Sequence, residues 1–369
     1  STPKPSSAAS DVYKRQNDSC LIIRYIRRLF QEKDDMNYRL FGRTGVYISP
    51  LVLGCMMFGQ KTDQNDTCEI IDRAIDHGIN FLDTADVYGK GASEEFVGEA
   101  LKRNASREKI FLATKVNGRM SEHPNHIGNS RLHIIEGCEN SLRRLKTEYI
   151  DLYQLHRPDS HIAIDESLRA MDDLVSAGKI RYAGTSNFGS WQVVESLWAS
   201  EKHSTVRFVS DQSPFNLTDR RAEREHIPMC QTYGMAFIPW SPLAGGGLTG
   251  KYKRTKNQRT GTRFGDETDP EKLKRFSPEV MDITDALQPI AEAHTATVAQ
   301  IALAWVMDQP GVTAPIIGPR TIEQLEDNLG AINLKLSNEE LNLIDELAQP
   351  GTNVTDYYEA SFKPNEHRF

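Results

Sequence analysis

From residue 36 onward, apolar runs of five to eight residues alternate with longer stretches in which apolar positions recur every three to four residues. The short runs are "LVLGC" (51–55), "NFLDT" (80–84), "IFLATKV" (110–116), "IDLYQLH" (150–156), "IRYAGTSN" (180–187), "FVSDQSPF" (208–215), "MAFIPWS" (235–241) and "APIIG" (314–318). They read as strands. Between them lie amphipathic segments such as "CEIIDRAIDHG", "SEEFVGEALKR", "IIEGCENSLRRL", "SLRAMDDLVSAGK", "WQVVESLWASEK" and "IEQLEDNLGA". In the first of these, Ile70, Ile71, Ala74 and Ile75 share one helix face, and several segments close on Gly, as helix C-termini tend to. Eight strands separated by helices imply parallel strands joined by helical crossovers. A closed (β/α)8 TIM barrel fits the count and the length. The alternative is an open doubly wound sheet, which would normally carry a GxGxxG turn after its first strand; here that strand runs into "GCMMFGQ". "MNYRLFGRTGVYIS" (36–49) predicts an N-terminal β-hairpin that closes the barrel floor, with "GRTG" as its turn. The connection 243–277 is long and rich in Gly, Lys, Arg and Thr, and loops of that length usually carry function or are disordered.

The first 35 residues break the rhythm. "STPKPSSAASDVYKRQ" is small and polar, and "CLIIRYIRRLF" is a short basic amphipathic stretch that could be a targeting or membrane-surface helix. The plainer reading is a disordered or non-native extension before a start at Met36. The expected organisation is therefore an extension (1–35), a barrel (36–350) and a C-terminal tail (351–369). Bulk composition narrows the function classes. A formal charge of −7 favours neither nucleic acid nor an anionic membrane, and no run of 18 apolar residues is present. Five cysteines (20, 55, 68, 138 and 230) are scattered without a CxxC pair, which argues for free thiols in a reducing cytoplasm and against a disulfide scaffold or a cysteine zinc site. "HPNH", with a third histidine at 133, offers an i, i+3 pair for a metal, but the surrounding Pro, Asn and Gly read as a loop. Cys55 lies near the expected mouth, as a small core residue or a redox-sensitive thiol.

The strand ends are where chemistry enters. The second strand ends in Asp83, with Tyr88 in the loop that follows; the third ends near Lys115, the fourth in His156. The fifth ends in Ser186 and Asn187, the sixth carries Gln212, and the seventh ends in Trp240 and Ser241. Each has an ordinary explanation alone, as a helix cap, a solvated strand end or a core packing residue. In a barrel all of them face one mouth, at the C-terminal face where active sites sit. The combination of Asp, Tyr, Lys and His suits a carbonyl. A tyrosine keeps its proton at neutral pH, a neighbouring ammonium favours the phenolate and eases donation, an aspartate holds the ammonium, and a neutral histidine can orient the carbonyl oxygen. Such a set lacks an electron source, so a cofactor must supply hydride.

On "GINFLDTADVYG", "LATKV", "IDLYQLHRPD", "GKIRYAGTSNF", "PWSPLAGGGLTGKY" and "IIGPRTIEQLEDNLGAI", the chain resembles the aldo-keto reductases from Met36 to about residue 350. The family's catalytic tetrad falls on Asp83, Tyr88, Lys115 and His156. Among its branches, the chain looks most like bacterial reductases and potassium-channel β-subunits. The resemblance implies an NADPH-dependent reduction of an aldehyde or ketone to an alcohol. Ser186, Asn187 and Gln212 would hold the nicotinamide carboxamide, with Trp240 stacked on the ring. Ser241, Leu243, Lys251 and Arg263 would hold the pyrophosphate, although Arg254 and Arg259 compete with Arg263 for that place. Gly318, Arg320, Gln324, Asp327 and Asn328 would hold the adenosine half. Met56, counted with the cofactor contacts, stands where relatives of the channel subunits place an aromatic, so this part of the pocket departs from theirs. Two other readings stay open. One is a slow-turnover regulatory subunit, assembling as several copies; the other is a Schiff-base lyase using Lys115 as nucleophile.

Overall fold

The computed structural model describes residues 36–252, 264 and 267–355. Two strands come first, β1 (Arg39–Leu40) and β2 (Tyr47–Ile48), paired antiparallel with Arg39 opposite Ile48. Eight parallel strands follow: β3 (Val52–Gly54), β4 (Phe81–Asp83), β5 (Phe111–Val116), β6 (Ile150–Leu155), β7 (Ile180–Ser186), β8 (Phe208–Gln212), β9 (Ala236–Phe237) and β10 (Ile316–Ile317). Their order is β10-β3-β4-β5-β6-β7-β8-β9. Hydrogen bonds from the Thr313 amide to the Phe237 carbonyl (2.8 Å) and from the Ile316 amide to the Pro239 carbonyl (2.8 Å) join the two ends of the sheet. This is the (β/α)8 barrel that the alternation predicted.

All eight expected strands are present, each shorter than its apolar run. The six amphipathic segments are the helices Gln64–Asp76, Ala92–Arg103, Arg131–Leu145, Ile164–Ser176, Ser190–His203 and Ile322–Leu329. The pattern did not reveal the helix Val298–Asp308, in which nine of the ten residues from Val298 to Met307, all but Gln300, are buried. A helix apolar all round has no stripe to betray it.

Period-two alternation sorts the strand residues into two layers. Leu82, Leu112, Val116, Tyr153 and Leu155 point outward and pack under the helices. Phe81, Phe111, Ala113 and Leu152 point inward and join Phe41, Ile48 and Ala236 in a separate cluster at the barrel floor. Phe41 from the hairpin meets Phe81 edge-on at 5.7 Å and lies 5.1 Å from Phe111. The hairpin therefore does close the floor. Two residues further along each strand, the inward positions hold Asp83, Lys115 and Gln154. Gly184 of β7 is the inward neighbour that makes room: a Cβ there would lie 2.5 Å from Ser210 Oγ and 3.2 Å from Gln154 Cγ. At the far end, residues 352–354 return against 218–220, with the Arg220 amide bonded to the Thr352 carbonyl at 2.7 Å.

Phe41 is fully buried in this floor. Truncating a buried aromatic removes its transfer free energy and leaves a cavity, at about 3–5 kcal/mol. Phe41→Ala is expected to lower the urea unfolding midpoint by a corresponding amount. An unchanged midpoint would mean that the hairpin does not seal the barrel.

Candidate active site

Asp83 is the last residue of β4, Lys115 the penultimate residue of β5, and His156 follows β6 directly. The Lys115 ammonium is fully buried. It is ion-paired to Asp83 Oδ2, donates to the Thr84 carbonyl at 2.7 Å, and lies 3.4 Å from the Tyr88 hydroxyl. Tyr88 reaches it from a tight turn, Tyr88–Gly91, in which Gly89, Lys90 and Gly91 all have positive φ. The His156 ring stands edge-on to Tyr88, with centroids 5.6 Å apart. Four residues spread over 74 positions of sequence thus meet around one ammonium.

The electrostatics are set by burial. For Lys115 burial opposes the charge, but the carboxylate of Asp83 and the oxygen of Tyr88, with their hydrogen bonds, outweigh it and hold the pKa above its usual value. Burial, then Lys115 and Arg157, drives His156 well below the usual histidine range, so the imidazole is neutral at physiological pH. Tyr88 differs from the sequence expectation. Lys115 does favour its phenolate, yet burial is the larger effect, Asp83 adds to it, and the net pKa lies above the ordinary phenol value. In the resting site the proton is therefore held more firmly than the neighbouring ammonium alone implies.

A second polar group adjoins the first. Asn187, at φ 62°, donates through Nδ2 to the His156 carbonyl (3.0 Å) and to Ser186 Oγ (2.9 Å), while its Oδ1 accepts from Trp240 Nε1 (3.1 Å). Ser186 Oγ donates to the Gln212 carbonyl (2.9 Å). The Gln212 side chain donates to Asp83 Oδ1 at 2.7 Å and to Gln154 Oε1 at 3.3 Å, and Gln154 Nε2 approaches the same Asp83 oxygen at 3.4 Å. Gln154 is fully buried and was missed in the sequence. Its one sign was an amide inside an apolar strand, two residues before His156 and so on the same face.

The remaining predicted residues have the following surroundings where they are described. Met56 is half-buried, and its carbonyl accepts from Gln60 Nε2 (2.8 Å). Ser241 has φ 58°, and its carbonyl accepts from Asn216 Nδ2 (3.0 Å). The Leu243 carbonyl accepts from the Gly246 amide (2.8 Å), starting the glycine turn, and the exposed Lys251 has its ammonium 5.5 Å from the Tyr252 ring centre. Arg263 lies outside the described residues, as do Arg254 and Arg259. Gly318 is exposed, and a Cβ there would meet nothing within 4 Å. Thr321 caps the helix Ile322–Leu329 as expected, with Glu323 in its first turn. The Arg320 amide donates to Gln324 Oε1 (2.9 Å), and Arg320 itself is half-buried. Asp327 is committed elsewhere, accepting from Thr297 Oγ1 at 2.9 Å, and Asn328 is buried. His123 and His126 do lie together, with ring centroids 4.6 Å apart, but their nitrogens have other partners: His123 accepts from the Asn125 amide, His126 pairs with Ser121 Oγ, and His133 with the Gly128 carbonyl. No cluster of three metal-binding side chains exists among the described residues. Cys55 is buried, and burial first, then Asp83, pushes its thiol pKa up, which makes a reactive thiolate unfavourable.

Residues 50–349 match the Aldo/keto reductase family. The chain belongs to that family. It is 38% identical over 333 residues to the uncharacterized oxidoreductase YrpG of Bacillus subtilis, covering 88% of this chain and 99% of that one. It is 33% identical to versiconal hemiacetal acetate reductase of Aspergillus parasiticus, covering 84% of this chain and 96% of that one. A probable voltage-gated potassium channel subunit beta of Arabidopsis thaliana is 34% identical, over 81% of this chain and 92% of that one. Membership of the aldo/keto reductases makes the protein an oxidoreductase, of a family that reduces carbonyls with NAD(P)H. No helix among the described residues is long and apolar enough to cross a membrane.

One acid beyond this strand end is poorly satisfied. Asp86 is buried, Glu94 and Arg144 both act on it, neither carboxyl oxygen has a side-chain partner among the described residues, and only the Val87 amide offers its charge backbone support. Burial, then the Glu94 charge, raises its pKa well above the ordinary value. An unfolded aspartate titrates near about 4. Between that value and the raised folded value, the folded chain binds more protons than the unfolded one, so this group costs stability as pH rises through the window. Asp86→Asn is expected to be more stable than the parent at pH 8, by on the order of 1–3 kcal/mol. The gap should close as pH falls toward 4. Equal unfolding free energies at both pH values would contradict the buried-acid assignment.

Proposed function

We propose that this aldo/keto reductase uses NADPH to reduce an aldehyde or ketone to an alcohol, with Tyr88 as general acid. The observation that carries the reading is the buried Lys115 ammonium held by Asp83 with the Tyr88 hydroxyl 3.4 Å away. Lys115 stabilises the phenolate that Tyr88 becomes when its proton moves to the substrate oxygen. His156, neutral and beside Tyr88, orients that oxygen by hydrogen bonding. Asp83 keeps Lys115 charged and occupied, which leaves no free amine for Schiff-base chemistry.

The donor set suits a nicotinamide dinucleotide. Gln212 Oε1 accepts no hydrogen bond from a described residue, and Ser186 and Asn187 adjoin Gln212 by bonding its main-chain carbonyl, so these three would hold the carboxamide with the Trp240 indole beside the ring. Ser241, Leu243 and Lys251 would hold the pyrophosphate with Arg263, and Gly318, Arg320, Gln324, Asp327 and Asn328 the adenosine half; Met56 would border the pocket. Bound there, NADPH supplies the hydride. A reducing cytosol is the setting this chemistry and the free, buried Cys55, Cys68, Cys138 and Cys230 favour. The barrel at 36–350 is the unit to which the activity is assigned.

The relatives with channel-subunit names favour a second reading, in which the same site holds cofactor and turns over slowly to regulate a partner. Multiple-turnover oxidation of NADPH with simple aldehydes supports the reductase; turnover limited to one equivalent, in a symmetric assembly, supports the regulator.

Two variants test the assignments. Tyr88→Phe should keep its fold and NADPH affinity and lose roughly 10²- to 10⁴-fold in kcat, and Lys115→Met should be similarly impaired. An unchanged kcat in Tyr88→Phe across a carbonyl screen would show that another group donates the proton. Arg320 follows β10 and precedes the N-terminus of the helix Ile322–Leu329, a place where barrels bind phosphate. If it reads the 2′-phosphate, Arg320→Ala weakens NADPH by roughly ten- to a hundredfold and leaves NADH affinity unaltered. Equal loss of both coenzymes, or a parent preference for NADH, removes that role.

A further inference from the structure

We infer that Gln154 is a positioning residue that fixes which way the Gln212 amide faces, and through it the cofactor carboxamide. The inference rests on the reading above that Gln212 contacts that carboxamide.

Asp83, Gln212 and Gln154 form a closed triangle inside the barrel. Asp83 Oδ1 accepts from Gln212 Nε2 (2.7 Å) and from Gln154 Nε2 (3.4 Å), and Gln154 Oε1 accepts from Gln212 Nε2 (3.3 Å). A carboxylate can only accept, so the amide atoms facing Asp83 must be nitrogens. That requirement propagates. Gln154 turns its nitrogen to Asp83, which leaves its oxygen to take the second N–H of Gln212. Both hydrogens of Gln212 Nε2 are then used within the protein, and its oxygen is the one atom of the amide with no partner among the described residues. Gln212 thereby becomes an acceptor for the carboxamide –NH2.

With Gln154 absent, Gln212 keeps a single bond to Asp83 and loses the contact that restrains rotation of its amide. The setting is tight enough for this to matter. Gln154 is paired in register with Lys115 of β5, and Gly184 of β7 leaves no side chain between Gln154 and Ser210. The charged groups facing Gln154 are Asp83 on β4 and Lys115 on β5; β7 presents Gly184 and β8 the neutral Gln212. A small error in aiming a cofactor is costly to reaction geometry.

The test is a double-mutant cycle read by NADPH affinity, titrated through quenching of tryptophan fluorescence, with thermal unfolding as the folding control. Gln154→Met should weaken NADPH roughly fivefold. Gln212→Met should weaken it more, and the double variant should be no weaker than Gln212→Met alone, because Gln154 acts only through Gln212. Additive losses, or parent-like affinity in Gln154→Met while Gln212→Met is impaired, overturn the positioning role and leave the carboxamide reading standing. Parent-like affinity in Gln212→Met overturns both. Gln154→Glu gives a second route. Protonated, it offers an acceptor and a donor as the amide does; ionised, it can only accept and repels Asp83. Its affinity relative to the parent should fall as pH rises or already lie below the parent's at every pH, and parent-like affinity across the whole pH range counts against the inference.

Discussion

Everything at the mouth of this barrel is arranged around one constraint: an ammonium group with no access to water. An unpaired charge in that position would cost several kcal/mol. Lys115 therefore needs a carboxylate and a full set of acceptors, and it finds them in Asp83, the Thr84 carbonyl and Tyr88. Satisfying Lys115 fixes Asp83, and the second oxygen of Asp83 fixes Gln212 and Gln154. The Tyr88 hydroxyl thus stands at one end of a chain of hydrogen-bond obligations that passes through a buried cation into three other strands. Breaking one member leaves the next unsatisfied, which is why such networks are rigid.

The floor and the mouth are two outcomes of the same alternation. On β4, β5 and β6 the inward positions begin with Phe81, Phe111 and Leu152, and two residues later become Asp83, Ala113 then Lys115, and Gln154. The aromatic layer below, sealed by Phe41, excludes water from one side of the ion pair. That dryness strengthens the attraction between Asp83 and Lys115 and raises the Tyr88 pKa at once. In the proposed reaction the two effects serve different moments: a firmly held proton keeps Tyr88 a donor at rest, and the adjacent ammonium stabilises the phenolate once the proton has left.

Much of this was legible in the chain, for identifiable reasons. The eight strands announced themselves through apolar runs, and the six amphipathic helices through a 3.6-residue stripe. Asp83, Lys115 and His156 stood out because polar residues at consecutive strand ends are unusual, and Tyr88 because a phenol followed so closely. Other features were silent. The helix Val298–Asp308 has no polar face to set its period. Gln154 looks like one polar residue in a strand, and only the register that sets it beside Lys115 and near Gln212 reveals what it binds. The net direction of the Tyr88 pKa could not be read from residue types either, since it depends on how deeply the turn Tyr88–Gly91 sinks the ring.

The central claim, that Tyr88 holds its proton beside a charged Lys115, can be observed directly. In protein labelled with 13C at the tyrosine Cζ, the Tyr88 resonance, assigned by its loss in Tyr88→Phe, is followed against pH. The expected result is a Tyr88 ionisation displaced above the usual phenol range. A resonance that titrates below that range, toward neutral pH, would show a phenolate in the resting site and contradict the assignment of Tyr88 as the proton donor.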